Sequence, residues 1–339
     1  MASEELRELL QKLGFTSYEA KAYVTLVVNG PLTATELASR SEIPQPRVYD
    51  VVQSLSEKGL ILVSEGRPRK FAAVDPLIAL RNYVERRRAE EEKILREVLR
   101  EIGSITPQTA EPGVWTTTGY ASAVNLLGEA VASARDELLF SGYTDVVKSF
   151  LLPALKHELA TCVVLYDAPV DLPEEFRQLD EVRVKPTKAP VMAIPDFQYA
   201  LIIVDFEGGR PVAYKVTDEN LIRIFAVYYL NYIRAGSKPV FDRLSSIDHR
   251  RYVHLSRALD HVRALSSAGR RIRVTVTGRW VKDGSHAKVT GEVVEQFENS
   301  YRSIGYIRLR TGDGRELTVG GIGAYLEDIE AREIEIFAL

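Results

Sequence analysis

The chain has one cysteine, two methionines and two tryptophans among 339 residues, and its formal net charge is only −3. The single Cys162 excludes an internal disulfide framework, and no paired cysteines stand with histidine at structural-zinc spacing. Nowhere do about 18 uncharged apolar residues follow one another. Met1 to Gln11 is charged, rather than a basic segment leading into an apolar run. These absences lead us to expect a cytoplasmic chain with no metal, no cofactor and no membrane partner. With charge so nearly balanced, any nucleic-acid site must be a local patch. What is present is ordinary globular material, 45% apolar and 27% charged, long enough for two or three domains.

Residues 4–30 read as two helices. Leu6, Leu9, Leu10 and Leu13 mark the first, which Gly14 stops. Thr16 and Glu19 have the capping-box spacing that opens the second, with Ala20, Tyr23, Val24 and Val27 as its expected buried stripe. Asn29-Gly30-Pro31 breaks that helix, and Thr33 with Glu36 repeats the capping box ahead of a short third helix ending at Arg40-Ser41-Glu42. A fourth follows, with Pro44 and Pro46 at its first turn and Val48, Val51, Val52 and Leu55 at i, i+3, i+4, i+7. Two β-like runs, 60–63 and 70–74, then flank Glu65-Gly66-Arg67-Pro68 as a hairpin. Helix, helix, turn, helix, hairpin over 1–75 is the order of a winged helix-turn-helix, in which the opening turn of the second motif helix meets base edges. Gln45 and Arg47 can pair bidentately with adenine and guanine, and Tyr49 stands beside them. Thr33 and Thr35 join the candidate DNA contacts, as do Arg67, Arg69 and Lys70 on the wing, where phosphates are met. The competing reading is a small helical packing domain without a nucleic-acid partner.

Asp75-Pro76 opens a helical stretch to Ile102, with Leu77, Leu80, Val84, Ile94, Val98 and Ile102 around Arg86-Arg87-Arg88 and Glu90-Glu91-Glu92. It reads as a solvated helix with internal ion pairs or as the coiled-coil spacer of a homodimer, spacer and linker together covering 76–112. Over 113–237 strands and helices alternate as in an α/β effector domain, with helices expected at 121–134, 146–159 and 221–234. The expected strands there are 137–141, 162–166, 182–185, 199–205 and 211–215. Residues 238–268 read as a connecting helix, with Leu255, Leu259, Val262 and Leu265 on one face. Its His249, His254 and His261 are spaced by five and seven, not the three or four that suit a shared metal. Alternating runs over 269–339, with a turn at Thr311-Gly312-Asp313-Gly314, predict a small β-sandwich or barrel. The fold class is thus α+β multidomain. Gly320-Gly321-Ile322-Gly323 is followed by no helix and no Lys-Ser/Thr, so it is not a phosphate loop. It is either a tight turn or a place where main-chain N–H groups approach a polyhydroxylated ligand, with Glu327 accepting hydroxyls and Tyr325 packing on a sugar face.

Leu13-Gly14-Phe15-Thr16-Ser17-Tyr18-Glu19-Ala20, Gly30-Pro31, Glu36-Leu37-Ala38, Ile43-Pro44, Arg47-Val48-Tyr49-Asp50 and Lys58-Gly59-Leu60 together resemble the TrmB family of archaeal sugar-responsive transcriptional regulators. The likeness runs the length of the chain, to Val319-Gly320-Gly321 and Glu327-Asp328. It implies a homodimer that binds a double-stranded DNA operator and a sugar effector. It also implies a phospholipase-D-like middle domain, and a sugar site at Gly321, Ile322, Tyr325, Leu326 and Glu327. Gly305 falls where a disaccharide-binding member of the family has asparagine. Catalysis in the phospholipase D superfamily needs His-x-Lys with a later Asp. The one such pair, His286 with Lys288, lies outside the middle domain with Val293 in the Asp position, so no catalytic residue is assigned. The alternatives are an architectural DNA-binding protein without a small ligand and an enzyme acting on phosphodiesters or glycans.

Overall fold

Capping boxes start two of the N-terminal helices. The computed structural model describes residues 2–103, 111–168, 171–299 and 304–339, and the chain forms two units, Met1–Thr109 and Ala110–Leu339. In the first, α1 (Ala2–Lys12) is followed by α2 (Ser17–Asn29), β1 (Leu32–Thr33) and α3 (Ala34–Ser41). Thr16 and Glu19 cap α2 reciprocally, and Thr33 and Glu36 cap α3 in the same way, each pair satisfying orphan N–H groups at a helix start. The helix α4 (Gln45–Glu57) buries Val48, Val51, Val52 and Leu55. It leads into β2 (Ile61–Val63) and β3 (Lys70–Ala73), which with β1 form a three-stranded sheet in the order β1-β3-β2. That winged helix-turn-helix is the one expected, with β1 added. One stripe differs. Val27 is 39% exposed, because α2 is packed by α1 as well as α3 and α4, and its buried arc turns through Ala22 and Leu26.

The helix α5 (Pro76–Gly103) buries Ala79 and Tyr83 near its start, the latter edge-on to Phe15 at 5.4 Å. Arg86 and Arg87 donate to the Lys58 and Leu13 carbonyls, so the arginine run seals two helix ends as well as pairing along α5 through Arg87–Glu91 and Arg88–Glu92. Beyond it Ile94, Leu95, Val98, Leu99 and Ile102 are exposed.

The second unit opens with β4 (Val114–Thr118), α6 (Tyr120–Ser133), β5 (Glu137–Gly142), α7 (Thr144–Val146) and β6 (Ala160–Leu165). It continues with β7 (Glu181–Val184), β8 (Val191–Pro195), β9 (Ala200–Val204), β10 (Val212–Val216), α8 (Glu219–Tyr228) and β11 (Lys238–Asp242). These strands make one mixed sheet ordered β11-β7-β6-β5-β8-β9-β10-β4, parallel through β5, β6 and β7 and antiparallel elsewhere. Successive residues of β5 face opposite cores, Leu138 and Phe140 toward α6 and Leu139 toward α8. The helix expected to reach Leu159 stops at Ala154, where Pro153 has removed a donor and Leu155 is extended.

The region 238–268 is corrected. It is not one connecting helix: β11 completes the α/β sheet, and β12 (His249–Tyr252) joins the next sheet before α9 (Leu255–Ser267) begins. Then β13 (Ile272–Trp280), β14 (His286–Glu298), β15 (Gly305–Thr311), β16 (Glu316–Gly320) and β17 (Ile329–Ala338) follow. The β16–β17 parallel pairing closes them into a barrel, and α9 packs on it through Leu259, Val262 and Leu265.

Candidate DNA interface and effector pocket

The opening turn of α4 projects into solvent because its apolar residues all lie on the opposite arc. Gln45, Arg47 and Tyr49 are exposed, Tyr49 to 61%, and Pro44 at the N-cap offers no side-chain bond to close the turn. Arg47 lies 3.8 Å from Asp50 with both side chains largely exposed, a pairing weak enough for a phosphate or base to displace. The helix is held from behind by Glu19, 3% exposed, whose carboxylate accepts from Ser54 (2.5 Å) and Lys58 (2.6 Å) at the far end of α4. Burial alone raises the Glu19 pKa, but Lys58, Ser54 and the Thr16 N–H hold it below the ordinary carboxylate range.

Arg67, Arg69 and Lys70 are all exposed on the β2–β3 wing, where Ser64 and Lys70 bond across the turn. Thr35 is exposed on the first turn of α3. Thr33 is half-buried and its hydroxyl is engaged twice by Glu36, donating to the carboxylate at 2.8 Å and accepting from the N–H.

In the second unit a cavity of about 290 Å³ lies between α9 and the loop joining β16 to β17. Gly321, Ile322, Tyr325, Leu326 and Glu327 all line it. Leu255, Ser256, Leu259, Glu298, Ile304 and Gly305 form its other wall; of these only Gly305 stood out in the sequence, and the α9 leucines read there as core. The loop hangs from two carboxylates. Glu330 accepts from the Gly323 N–H at 2.9 Å, and Asp328 accepts from the Thr318 N–H and hydroxyl. Burial raises the Glu330 pKa, but the Gly323 N–H and Arg279 bring it below the usual range, so it stays an acceptor. Gly321 packs straight on α9: a side chain there would place its Cβ 3.1 Å from the Leu255 Cβ. Tyr325 and Leu326, 78% and 72% exposed, stand at the mouth. Cavities of about 510 and 670 Å³ open elsewhere. The cavity of about 290 Å³ is preferred because glycine backbone, two carboxylates (Glu298 and Glu327) and the Ser256 hydroxyl line it with the Tyr325 ring at its mouth.

Three of the five histidines serve structure. His249 bonds Glu335 at 2.9 Å, His254 bonds Glu137, and His261, fully buried and pushed down to about 4 by that burial, bonds the Ile247 carbonyl. His286 and Lys288 are exposed on β14. Among the described residues no cluster of three or more metal-ligating side chains occurs, and no helix is long and apolar enough to cross a membrane.

Three family models match in succession. Residues 10–77 match the sugar-specific transcriptional regulator TrmB, 113–240 the EBD N-terminal subdomain of transcriptional regulator TrmB, and 248–338 the TrmB/TrmBL1 EBD C-terminal subdomain. The HTH-type sugar sensing transcriptional regulator TrmBL1 of Pyrococcus furiosus is 28% identical over 345 residues, 97% of this chain and 98% of that protein. The putative HTH-type transcriptional regulator TrmBL2 of the same organism is 30% identical over 222 residues, 61% of this chain and 83% of that one. A solved structure of TrmBL2, described as an archaeal chromatin protein, covers 70% of this chain and 99% of its own at 24% identity and a TM-score of 0.46. With its winged helix, α/β sheet and closing barrel each matched in order, the chain belongs to the TrmB family of transcriptional regulators.

Proposed function

We propose that this protein is a cytoplasmic, sequence-specific DNA-binding regulator whose operator affinity is set by a sugar held between α9 and the β16–β17 loop. The observation that carries the reading is the convergence of Gly321, Ile322, Tyr325, Leu326 and Glu327 on one cavity with a hydroxyl and a second carboxylate. Those groups offer hydroxyl acceptors and a ring face, which suits a neutral mono- or disaccharide. Gln45, Arg47 and Tyr49 read bases, Arg67, Arg69 and Lys70 hold phosphates, and Thr35 borders the groove. The α/β sheet, with α6 and α8 on opposite faces, supports a phospholipase-D-like scaffold put to regulatory rather than catalytic use. The exposed stripe of Ile94, Leu95, Val98, Leu99 and Ile102 supports a homodimer paired along α5.

Two measurements test this. Thermal-shift screening against mono- and disaccharides should find a ligand, since saturation at about 100 times Kd stabilises by about 2.7 kcal/mol. The same sugar should change operator affinity roughly 5- to 150-fold, and operator should change sugar affinity equally. A flat thermal profile across the panel would favour an architectural DNA-binding protein instead. In sedimentation, Leu95→Glu with Leu99→Glu should yield monomer.

A further inference from the structure

The seam inside the second unit, where α9 and β12 meet the α/β sheet, is lined by charge. Glu181 of β7, fully buried, accepts from Arg234 at 2.9 Å and from Arg257 of α9. Asp180 accepts from Arg250 of β12 at 2.8 Å. Glu137 of β5 accepts with one oxygen from the Val253 and His254 N–H groups, each at 2.9 Å. Its other oxygen, Oε1, has no hydrogen-bond partner, and neither has the buried Nε of Arg257; the two face each other at 3.9 Å. A donor and an acceptor out of water and unmatched are each costly. A hydrogen bond needs about 2.7–3.2 Å, so a shift of about 1 Å that brings Nε toward Oε1 while keeping Nη1 on Glu181 would satisfy both.

The helix that carries Arg257 is also a wall of the pocket. At about 100° per residue, Arg257 lies roughly 160° around α9 from Leu255 and from Leu259. Leu255 and Leu259 line the cavity while Arg257 reaches the sheet. Gly321 sits close against Leu255, where an added Cβ would come within 3.1 Å of the Leu255 Cβ, so a displacement of the loop is passed to the helix by direct contact. The sheet side of α9 is held by ion pairs with defined partners rather than by close apolar packing, so such a push can move it between discrete arrangements.

We propose that α9 is a two-position relay: occupation of the pocket moves it toward the α/β sheet and closes the Arg257–Glu137 gap into a hydrogen bond. This rests on the reading of that pocket as the effector site. The bond is closed in the occupied state and open in the empty one, and the ligand drives the shift through its contacts with Leu255 and Leu259 of α9, which differ between the two positions.

The test is a double-mutant cycle on the full chain with Arg257→Lys and Glu137→Gln, measured by urea unfolding with no sugar, with maltose and with glucose. The cycle is repeated in a Gly321→Ala background, whose added Cβ presses on Leu255 without any ligand. Coupling between the two positions should rise at least about 5-fold, with a bound sugar or with Gly321→Ala, above its value in the empty protein, where the two charges already lie 3.9 Å apart. Equal coupling in every state overturns the relay. A sugar that stabilises the protein yet leaves coupling unchanged overturns it while sparing the pocket. Coupling raised by Gly321→Ala with both sugars inert upholds the relay and counts against the sugar reading. If Arg257→Lys does not fold, ¹⁵N NMR of the Arg257 Nε–H reads the same event. Its exchange should slow roughly tenfold on occupation, as expected for a charge-assisted bond, and unchanged exchange overturns the proposal.

Discussion

The winged helix and the seam within the effector unit solve the same problem, fixing one element against another, with opposite materials. Behind α4 stand Leu10, Leu26, Leu37, Leu55 and Leu60, all nearly or wholly buried, with one buried carboxylate, Glu19, fully matched by its donors. Behind α9 on its sheet side stand Glu181, Asp180, Glu137, Arg234 and Arg257, with unmatched donors and acceptors left among them. An apolar, close-packed contact has one good arrangement and resists displacement. A buried ionic contact adds little net stability but is strict about partners, so its members can exchange between defined positions. A reading head has to hold its exposed helix turn at a fixed place, and a sensor has to move.

The largest expected effect comes from cutting the ionic seam. Glu181→Gln removes the charge shared by Arg183, Arg234 and Arg257 and one of its two accepting oxygens and should destabilise the effector unit by about 3–5 kcal/mol in urea unfolding. A loss below about 1 kcal/mol would show that the arginines find other partners and that the contrast drawn above is false. The same carboxylate sets a pH signature. Burial works to raise its pKa, but Arg257, Arg234 and Arg183 prevail and lower it from 4.5 to about 2. A group whose folded pKa is depressed contributes stability that is complete above its unfolded pKa and is lost as pH falls through the folded one. Stability should therefore decline between about pH 4.5 and pH 2, and Glu181→Gln should flatten that decline.

Next in size is the apolar side of the comparison. Leu55→Ala, at a wholly buried position of α4, should cost about 2–5 kcal/mol. That loss should be the same at every pH and salt concentration, whereas the loss caused by Glu181→Gln should shrink as pH falls toward about 2. A salt-dependent loss would mean that charge, not packing, holds α4.

The two regions also differed in how much the sequence disclosed. The reading head was legible almost throughout because its signals are local: the Thr16–Glu19 and Thr33–Glu36 caps and the Val48 to Leu55 spacing each lie within one helix. Strands that depend on distant neighbours were harder. β8 is bounded by Pro190 and Pro195, residues that argue against a strand, and is made one by β5 and β9 on either side. β11 and β12 look like parts of a helical connection until the two sheets draw them in. The seam was silent, since Glu181 meets Arg257 across 76 residues of chain and nothing local marks either as buried. Of the pocket, the glycine loop was legible and the α9 wall was not, because Leu255 and Leu259 have the periodicity of any core-facing helix.

Smaller effects separate contact from scaffold inside the head. Arg47→Ala should cost about 1–3 kcal/mol in operator binding and relax sequence preference, whereas Lys70→Ala should weaken all DNA alike and reduce the salt slope by about one. Titrations by fluorescence anisotropy at several salt concentrations distinguish these. Identical losses from both variants would place neither on bases.

The finest cut falls between Thr33 and Thr35, two residues apart and both read from the sequence as DNA contacts. The Thr33 hydroxyl is already engaged by Glu36, which closes the first turn of α3, while Thr35 stands exposed. Thr33→Ala should thus cost about 1 kcal/mol of stability, the usual loss for an N-cap. Its operator affinity, measured well below the unfolding transition, should change by less than about twofold, well short of the loss expected for a base contact. Thr33→Asp keeps the acceptor for the Glu36 N–H but sets a second carboxylate beside Glu36, so it should recover only part of that stability. Thr35→Ala should do the reverse, leaving the unfolding midpoint unmoved and weakening DNA. If Thr33→Ala instead loses affinity with its stability intact, the hydroxyl leaves Glu36 for a phosphate on binding, and the rigid head would contain a switching contact of its own.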